Sequence, residues 1–141
     1  MKIEKVISLQ ISKKPYPVEK ILSAATYLTA GGVGFVWLII AAFMRKHVTS
    51  FLMYHIMQSI FLSIVFFLLS LLGDLVFVIL YKIPLINTIP YFINMPLLFG
   101  LSVIQLFTTT VIIYLAVTSV LGYYSYLPWV SDIIKGNTGL K

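Results

Sequence analysis

Three long apolar stretches fill most of this 141-residue chain and constrain its fold more than any other feature. Residues 21–44 and residues 85–130 contain no charged side chain, and residues 48–81 contain one acid, Asp74, together with His55. The hydrocarbon core of a bilayer is about 30 Å thick, and roughly 20 apolar residues cross it as a helix. Each stretch is long enough to cross, so we expect an all-α integral membrane protein.

The composition excludes an ordinary soluble domain. Hydrophobic residues make up 60% of the chain, charged residues make up 10%, and the mean hydropathy is +1.03. A soluble domain carries about 25% charged residues, so this chain would lack a polar surface. The net charge of +6 comes from bases scattered over tails and loops. We therefore expect contact with a lipid bilayer and no nucleic-acid partner.

The hydropathy pattern divides the chain into two tails and a helical bundle. We expect a basic N-terminal tail over residues 1–20, a transmembrane bundle over residues 21–130 and a polar C-terminal tail over residues 131–141. Three hydrophobic helical segments are predicted within the bundle, at about residues 21–44, 51–81 and 97–123. The proline-rich residues 83–96 cannot form a regular spanning helix, so they are placed at the interface as a loop or a short surface helix.

The first segment has an alternative interpretation, because Gly31, Gly32 and Gly34 interrupt it. Three full crossings would leave six basic residues on one side and four on the other, whereas a helical hairpin over residues 21–44 would leave nine and one. The positive-inside rule favours the hairpin. However, 24 residues cannot cross twice, and a re-entrant loop requires shielding by protein. Three crossings are the preferred interpretation, with four helices as the alternative and the orientation left open.

Two of the predicted helices carry polar stripes. Small polar and acidic residues share one face of the second helix, and another set shares a face of the third. The stripe residues are Ser59, Ser63, Ser70 and Asp74 on the second helix and Ser102, Gln105, Thr109 and Ser119 on the third. Such stripes serve either helix packing through hydrogen bonds or an inward-facing hydrophilic path, and packing is preferred because no row of charges accompanies the hydroxyls.

Catalytic and metal chemistry find little support in the sequence. Phe66 lies near the midpoint of the second helix. Asp74 lies eight residues further on, about 12 Å along the helix axis, and is therefore close to the interface. A structural or interfacial role is therefore expected for Asp74. The chain has no cysteine, no HExxH or GxSxG motif and no acid beside its two histidines. We expect neither an enzyme nor a cofactor or metal site.

Residues 45–59 carry a motif in which a basic membrane exit precedes Ser50, Phe51, His55 and Gln58. This run resembles the small Tic subunit family of the chloroplast inner-envelope protein translocon and related uncharacterised bacterial membrane proteins. Their pattern is Ser-Phe-x-Arg-Phe-His/Asn-x-x-Gln-Ala, and here Met53 replaces the usual arginine. Residues 122–132 resemble the family's Gly-x-Tyr-x-x-Pro-x-Ile-Ser-Glu ending, and residues 21–28 resemble its start.

The resemblance implies a non-enzymatic, multi-pass subunit associated with preprotein translocation, in a bacterial plasma membrane or a plastid inner envelope. In that role the His55–Gln58 end of the second helix would dock a partner or gate a path. Three or four short helices cannot enclose a polypeptide, so we expect a homo-oligomer or other membrane subunits as partners. The alternative is a structural or assembly protein whose polar stripes only join its helices. A minor third hypothesis gives Asp74 a role in lipid modification or ion handling.

Overall fold

The structure, a computed structural model, describes residues 14–137. These residues form six α-helices and no strand. In chain order the helices are α1 (Pro17–Leu28), α2 (Gly32–Phe43), α3 (Ser50–Leu80), α4 (Thr88–Asn94), α5 (Val103–Leu121) and α6 (Val130–Asn137). The expected all-α fold is confirmed for the described part of the chain. Most of the predicted basic tail, residues 1–13, lies outside the described residues, as do residues 138–141.

The described residues fall into two compact units. The first contains residues 14–63 and 113–137, and the second contains residues 64–112. Helices α3 and α5 each contribute one part to each unit. The first unit holds almost all of the buried side chains, among them Tyr54, Ile56 and Leu115, which are fully buried. The candidate site described below is built on this core.

The first hydrophobic segment is a helical hairpin. Helices α1 and α2 pack against each other and are joined by a tight turn in which Gly31 has a φ of +88°. A Cβ atom at Gly31 would lie 2.9 Å from Ile60 Cγ1, so both the left-handed backbone and the close contact require glycine. Each helix has 12 residues and is about 18 Å long. The prediction of one continuous helix over residues 21–44 is therefore wrong, and the glycine hairpin is present.

The long second helix was predicted closely. Helix α3 has 31 residues, against a prediction of residues 51–81. The Leu52 amide donates to Thr49 Oγ1 at 3.4 Å, so Thr49 acts as the N-cap. The chain leaves the helix just before Lys82 and Pro84. The boundaries follow from a capping hydroxyl at one end and a proline at the other.

The third hydrophobic segment starts later than predicted. Helix α5 begins at Val103 rather than near residue 97, because residues 97–101 form a turn in which Gly100 has a φ of +77°. A capping box then opens the helix: the Ser102 amide donates to Gln105 Oε1 at 3.0 Å, and the Gln105 amide donates to Ser102 Oγ at 3.4 Å. The proline-rich stretch contains the short helix α4, as anticipated.

The C-terminal segment is more ordered than predicted. Residues 131–141 were expected to form a polar tail, but Val130–Asn137 is a helix. Ser131 and Ile134 on this helix are buried at 0% and 3% exposure. Ser131 and Ile134 therefore contribute to the core of the first unit.

Two helices are long and apolar enough to cross a membrane. They are α3 and α5, whose most apolar 18-residue stretches have mean hydropathies of 2.6 and 1.9. Only 6% of the most apolar window of α3 and 17% of that of α5 is buried within the protein. Helices α1 and α2 are each shorter than the membrane span, so the described residues contain two such helices rather than three.

Candidate functional site

The most distinctive arrangement of polar groups lies inside the first unit. We call it the polar cluster: it comprises the side chains of Tyr27, Tyr54, His55, Gln58, Ser125 and Ser131. Helix α1 contributes Tyr27, helix α3 contributes three members, and the segment ending in α6 contributes the two serines. Tyr27 and Ser125 are 3% and 2% exposed, and the other four are fully buried. Buried polar groups of this kind must find partners within the protein.

Tyr27 joins α1 to α3. Its hydroxyl donates to Gln58 Oε1 at 2.7 Å and also lies 2.7 Å from His55 Nδ1. Because the one phenolic proton is directed to Gln58, the network assigns the remaining proton to His55 Nδ1, which donates to the Tyr27 oxygen. This tautomer leaves His55 Nε2 as an acceptor. His55 Nε2 and Ser125 Oγ are the two buried side-chain atoms without a hydrogen-bond partner among residues 14–137.

Tyr54 and Gln58 join α3 to the C-terminal segment. The Tyr54 hydroxyl donates to the Ser125 carbonyl oxygen at 2.7 Å and also lies 2.8 Å from Ser131 Oγ. Gln58 Nε2 donates to the same two oxygens, at 3.3 Å each. Ser131 Oγ also accepts the Leu127 amide at 2.8 Å. The Ser125 carbonyl oxygen and Ser131 Oγ therefore provide partners for two side chains of α3.

Aromatic rings surround the imidazole of His55. The Phe51 ring lies edge-on at 4.5 Å between centroids, and the Tyr124 ring is stacked at 6.2 Å. Phe51 also contacts Tyr124, at 5.5 Å. Burial raises the pKa of the Tyr124 hydroxyl, and the carboxylate of Glu19 raises it further. This shell keeps the polar cluster away from solvent and holds the imidazole in one orientation.

The hairpin packs closely against α3 beside the polar cluster. A Cβ atom at Gly34 would lie 2.6 Å from Thr26 Cγ2 and 2.9 Å from Ile56 Cγ1, so only glycine allows this approach. The Ser59 hydroxyl donates to the Thr26 carbonyl at 3.0 Å. Small residues that allow close packing, reinforced by interhelical hydrogen bonds, are typical of helix contacts in membranes.

The motif residues lie mainly in the interior. Ser50 is exposed at the start of α3, but Phe51, His55 and Gln58 are buried. The side chains of His55 and Gln58 bond within the chain, and docking of a partner or gating of a path at this end of α3 stays a prediction. Phe51 belongs to the aromatic shell, and the other two belong to the polar cluster.

The predicted polar stripes separate into two groups. Ser59, Ser63 and Ser119 lie in the first unit. Ser59 donates to the Thr26 carbonyl of α1, whereas Ser63 and Ser119 donate to the carbonyls of Ser59 and Ala116 in their own helices. The other five line a common cavity of about 650 Å³ within the second unit: Ser70, Asp74, Ser102, Gln105 and Thr109. The two stripes therefore face a shared space there, although Gln105 Oε1 is used by the helix cap.

Tyr27, Tyr54, Ser125 and Ser131 were not singled out from the sequence. Their partners are distant along the chain: the bonds from Tyr54 and Gln58 to the C-terminal serines span 67 to 77 residues. The available signal was limited to Tyr27, which lies inside an apolar run, because Tyr54 lies in the second turn of α3, near the end where interfacial tyrosines collect. A tyrosine inside a membrane segment needs a partner for its hydroxyl.

The polar cluster has the chemistry of a structural core. Its hydroxyl, amide and imidazole groups bond mainly to one another, and its buried position gives a substrate no direct access. Among residues 14–137, no group of three or more His, Cys, Asp or Glu side chains could hold a metal ion. Compared with known proteins, the chain matches no family model, no curated protein and no solved structure. Functional inference therefore rests on the geometry and on the motif resemblance.

Proposed function

We propose that the chain is a small multi-pass membrane protein that acts as a non-enzymatic subunit of a larger membrane assembly. The observation that carries the proposal is the distribution of polar and apolar groups. Polar side chains of the first unit turn inward and bond to one another, while large apolar side chains along α3 and α5 face outward. Phe67, Leu72 and Leu121 are 64%, 61% and 59% exposed. Water disfavours such a surface by about 25 cal/mol per Å², whereas lipid tails accept it.

In this proposal the hairpin enters the membrane and returns. Its turn lies beside Ile60, ten residues beyond Ser50 and so about 15 Å along α3, which is half of a hydrocarbon core of about 30 Å. Non-helical backbone is tolerated at that depth when protein covers it, and Gly31 is buried.

The hairpin also accounts for the distribution of charge. A re-entrant hairpin with two crossings leaves nine of the ten basic residues on one side and Lys82 on the other. A Cβ atom at Gly122 would lie 2.8 Å from Lys20 Cε, so the end of α5 and the start of α1 meet within the first unit. This contact supports placing both ends on the same side.

Single cysteines test this topology, because the chain contains none of its own. We would introduce Lys14→Cys, His47→Cys and Lys82→Cys separately and label sealed vesicles with an impermeant maleimide. The expected result is labelling of the first two from one side and of Lys82→Cys from the other. Labelling of Lys14→Cys and His47→Cys from opposite sides would instead show that residues 21–44 cross the membrane once. Release of the protein by alkaline carbonate would contradict membrane insertion itself.

Within this class we favour a subunit of a protein-transport assembly. The support is the motif around Ser50, Phe51, His55 and Gln58, together with the open cavity of the second unit, which offers polar and apolar groups to another chain. Because the helices of one chain are too few to enclose a polypeptide, transport would require further copies of this chain or other subunits.

Site-specific photo-crosslinking in native membranes tests the transport proposal. A photoreactive residue at Ser70 or Thr109, both in the cavity wall, should capture another membrane subunit or a polypeptide in transit. The controls are Ile64 and Val117, which are 53% and 52% exposed and do not line the cavity. Capture of lipid alone from all four positions would count against transport.

A structural or assembly role is the second candidate. It is favoured by the burial of His55 and Gln58 and by the Ser63 and Ser119 hydroxyls, which bond only to carbonyls of their own helices. Under this hypothesis Ser63→Ala and Thr109→Ala change stability and leave transport unaffected. A transport defect in Thr109→Ala at normal protein levels would exclude it.

A further inference from the structure

The cavity of the second unit contains an acid without a counter-charge. Asp74 is exposed in the wall of this cavity and forms no ion pair or hydrogen bond with any residue in the range 14–137. It is the only acid among residues 64–112, and Lys82 is the only base there. Lys82 lies eight residues further along the chain, beyond the end of α3. Asp74 is 24 residues beyond Ser50, about 36 Å along α3 and near the far interface, where a carboxylate stays charged and can attract a cation.

The remaining lining is apolar and aromatic with neutral polar groups. Phe66, Phe77 and Phe107 contribute aromatic rings, which attract cations through their negatively charged faces. Some of the neutral polar groups already form hydrogen bonds within the protein. Thr108 Oγ1 donates to the Ile104 carbonyl at 2.9 Å, and the Ser102–Gln105 pair caps α5. The cavity volume of about 650 Å³ falls in the range of small-molecule sites, about 300–1,000 Å³.

We propose that this cavity binds an organic cation with an apolar body, such as a quaternary ammonium or phosphonium compound, with Asp74 as its counter-charge. The single carboxylate selects a monovalent positive ligand and disfavours anions. A calcium ion would require six to eight oxygen ligands, several of them charged, and the cavity has one carboxylate. The phenylalanine rings favour a bulky, weakly hydrated cation over a small hydrated one. The transport proposal places another chain at this same cavity, so cation binding is tested separately, on the purified protein.

Binding of tetraphenylphosphonium to the full chain tests the proposal. The protein is placed in nanodiscs of phosphatidylcholine, which carries no net charge, and binding to empty nanodiscs is subtracted. We expect saturable binding that Asp74→Asn weakens by about tenfold or more. Glu19→Gln makes the same change in net charge at a residue that does not line the cavity, so it should leave the Kd within about twofold. Tetraphenylborate, which has the same shape and the opposite charge, should show no saturable binding.

A second variant tests the cavity without altering its charge. A Cβ atom at Gly73 would meet no atom within 4 Å, and Gly73 lines the cavity within α3. Gly73→Leu should therefore occupy the binding space without disturbing the backbone, and leucine is a better helix former than glycine. We expect it to weaken tetraphenylphosphonium binding by about tenfold.

The proposal is overturned if the wild type shows no saturable binding or if Asp74→Asn leaves the Kd unchanged. It is equally overturned if Gly73→Leu binds as well as the wild type, or if tetraphenylborate binds like the phosphonium. None of these outcomes bears on membrane insertion, which the cysteine labelling measures separately.

Discussion

The Tyr27 hydroxyl donates to Gln58 Oε1 at 2.7 Å, and this contact ties the first arm of the hairpin to the longest helix. The two residues lie 31 positions apart, and both are buried. The same hydroxyl faces His55 Nδ1 at 2.7 Å, so one oxygen atom satisfies two polar groups of α3. The stability of the first unit should therefore depend strongly on this oxygen.

Removing the Tyr27 hydroxyl should destabilise the protein. Tyr27→Phe leaves Gln58 Oε1 and His55 Nδ1 buried without this partner, and each such loss costs about 1–3 kcal/mol. Tyr114→Phe is the matched control, because Tyr114 is 49% exposed and exposed substitutions usually change stability by less than about 0.5 kcal/mol. Reversible unfolding in mixed detergent micelles measures the free energy of unfolding. Equal values for the two variants would show that the Tyr27 contact contributes nothing.

Adjacent glycines in the hairpin turn should respond differently to alanine. Gly31→Ala would place a Cβ atom 2.9 Å from Ile60 Cγ1 in a left-handed conformation that costs an L-residue about 1–2 kcal/mol. Gly32→Ala meets only Thr29 side-chain atoms at 3.9 Å, an ordinary contact. Thermal stability of the two purified variants provides the comparison. If Gly32→Ala were the more damaging, the turn would not have the geometry described above.

Two helical glycines provide a test of close packing. Gly34→Ala should lower the free energy of unfolding by about 1–3 kcal/mol, because its Cβ atom would overlap Thr26 and Ile56. Gly73→Ala meets nothing within 4 Å, so it should be neutral or stabilise α3 by up to about 1 kcal/mol. Both changes add a single methyl group to an α-helix, so their difference isolates packing from helix propensity. Similar losses in both would contradict the contact between α2 and α3.

The capping box should set the start of α5. Ser102→Ala removes the hydroxyl that accepts the Gln105 amide, and loss of an N-cap costs about 0.5–2 kcal/mol. Ser102→Thr keeps the acceptor and should retain most of the stability. Hydrogen exchange of the Gln105 amide measures the effect locally. Protection that is unchanged in Ser102→Ala would mean that the hydroxyl does not cap the helix.

Features set by local chemistry could be predicted from the sequence, and α3 illustrates this. The ends of α3 are set by local signals, namely the apolar run, the Thr49 cap and Pro84. Because each signal acts within a few residues, the prediction was accurate to one residue at each end. Helix α5 was less accurate, because the prediction extended the apolar run through Gly100 and overlooked the spacing of Ser102 and Gln105. That spacing is a known N-terminal signature and was available in the sequence.

The sequence indicated the hairpin as an alternative, but two physical arguments disagreed about it. Segment length favoured one crossing, whereas the glycines and the basic residues favoured a return to the same side. Residues 21–44 form the hairpin because Gly31 makes the turn and Gly34 allows the close approach to Ile56. The polar cluster was harder to predict, because a serine such as Ser125 carries no local sign that a tyrosine 71 residues earlier donates to its carbonyl.

The positions of Ser125 and Ser131 have a consequence for biosynthesis. Tyr54 and Gln58 emerge from the ribosome long before the oxygens that accept their protons, which lie 67 to 77 residues downstream. Until that downstream segment has been synthesised, two polar side chains of α3 lack these partners. A nascent chain that stops before Ser125 would expose that deficit, which gives quality-control proteases a means of recognising it.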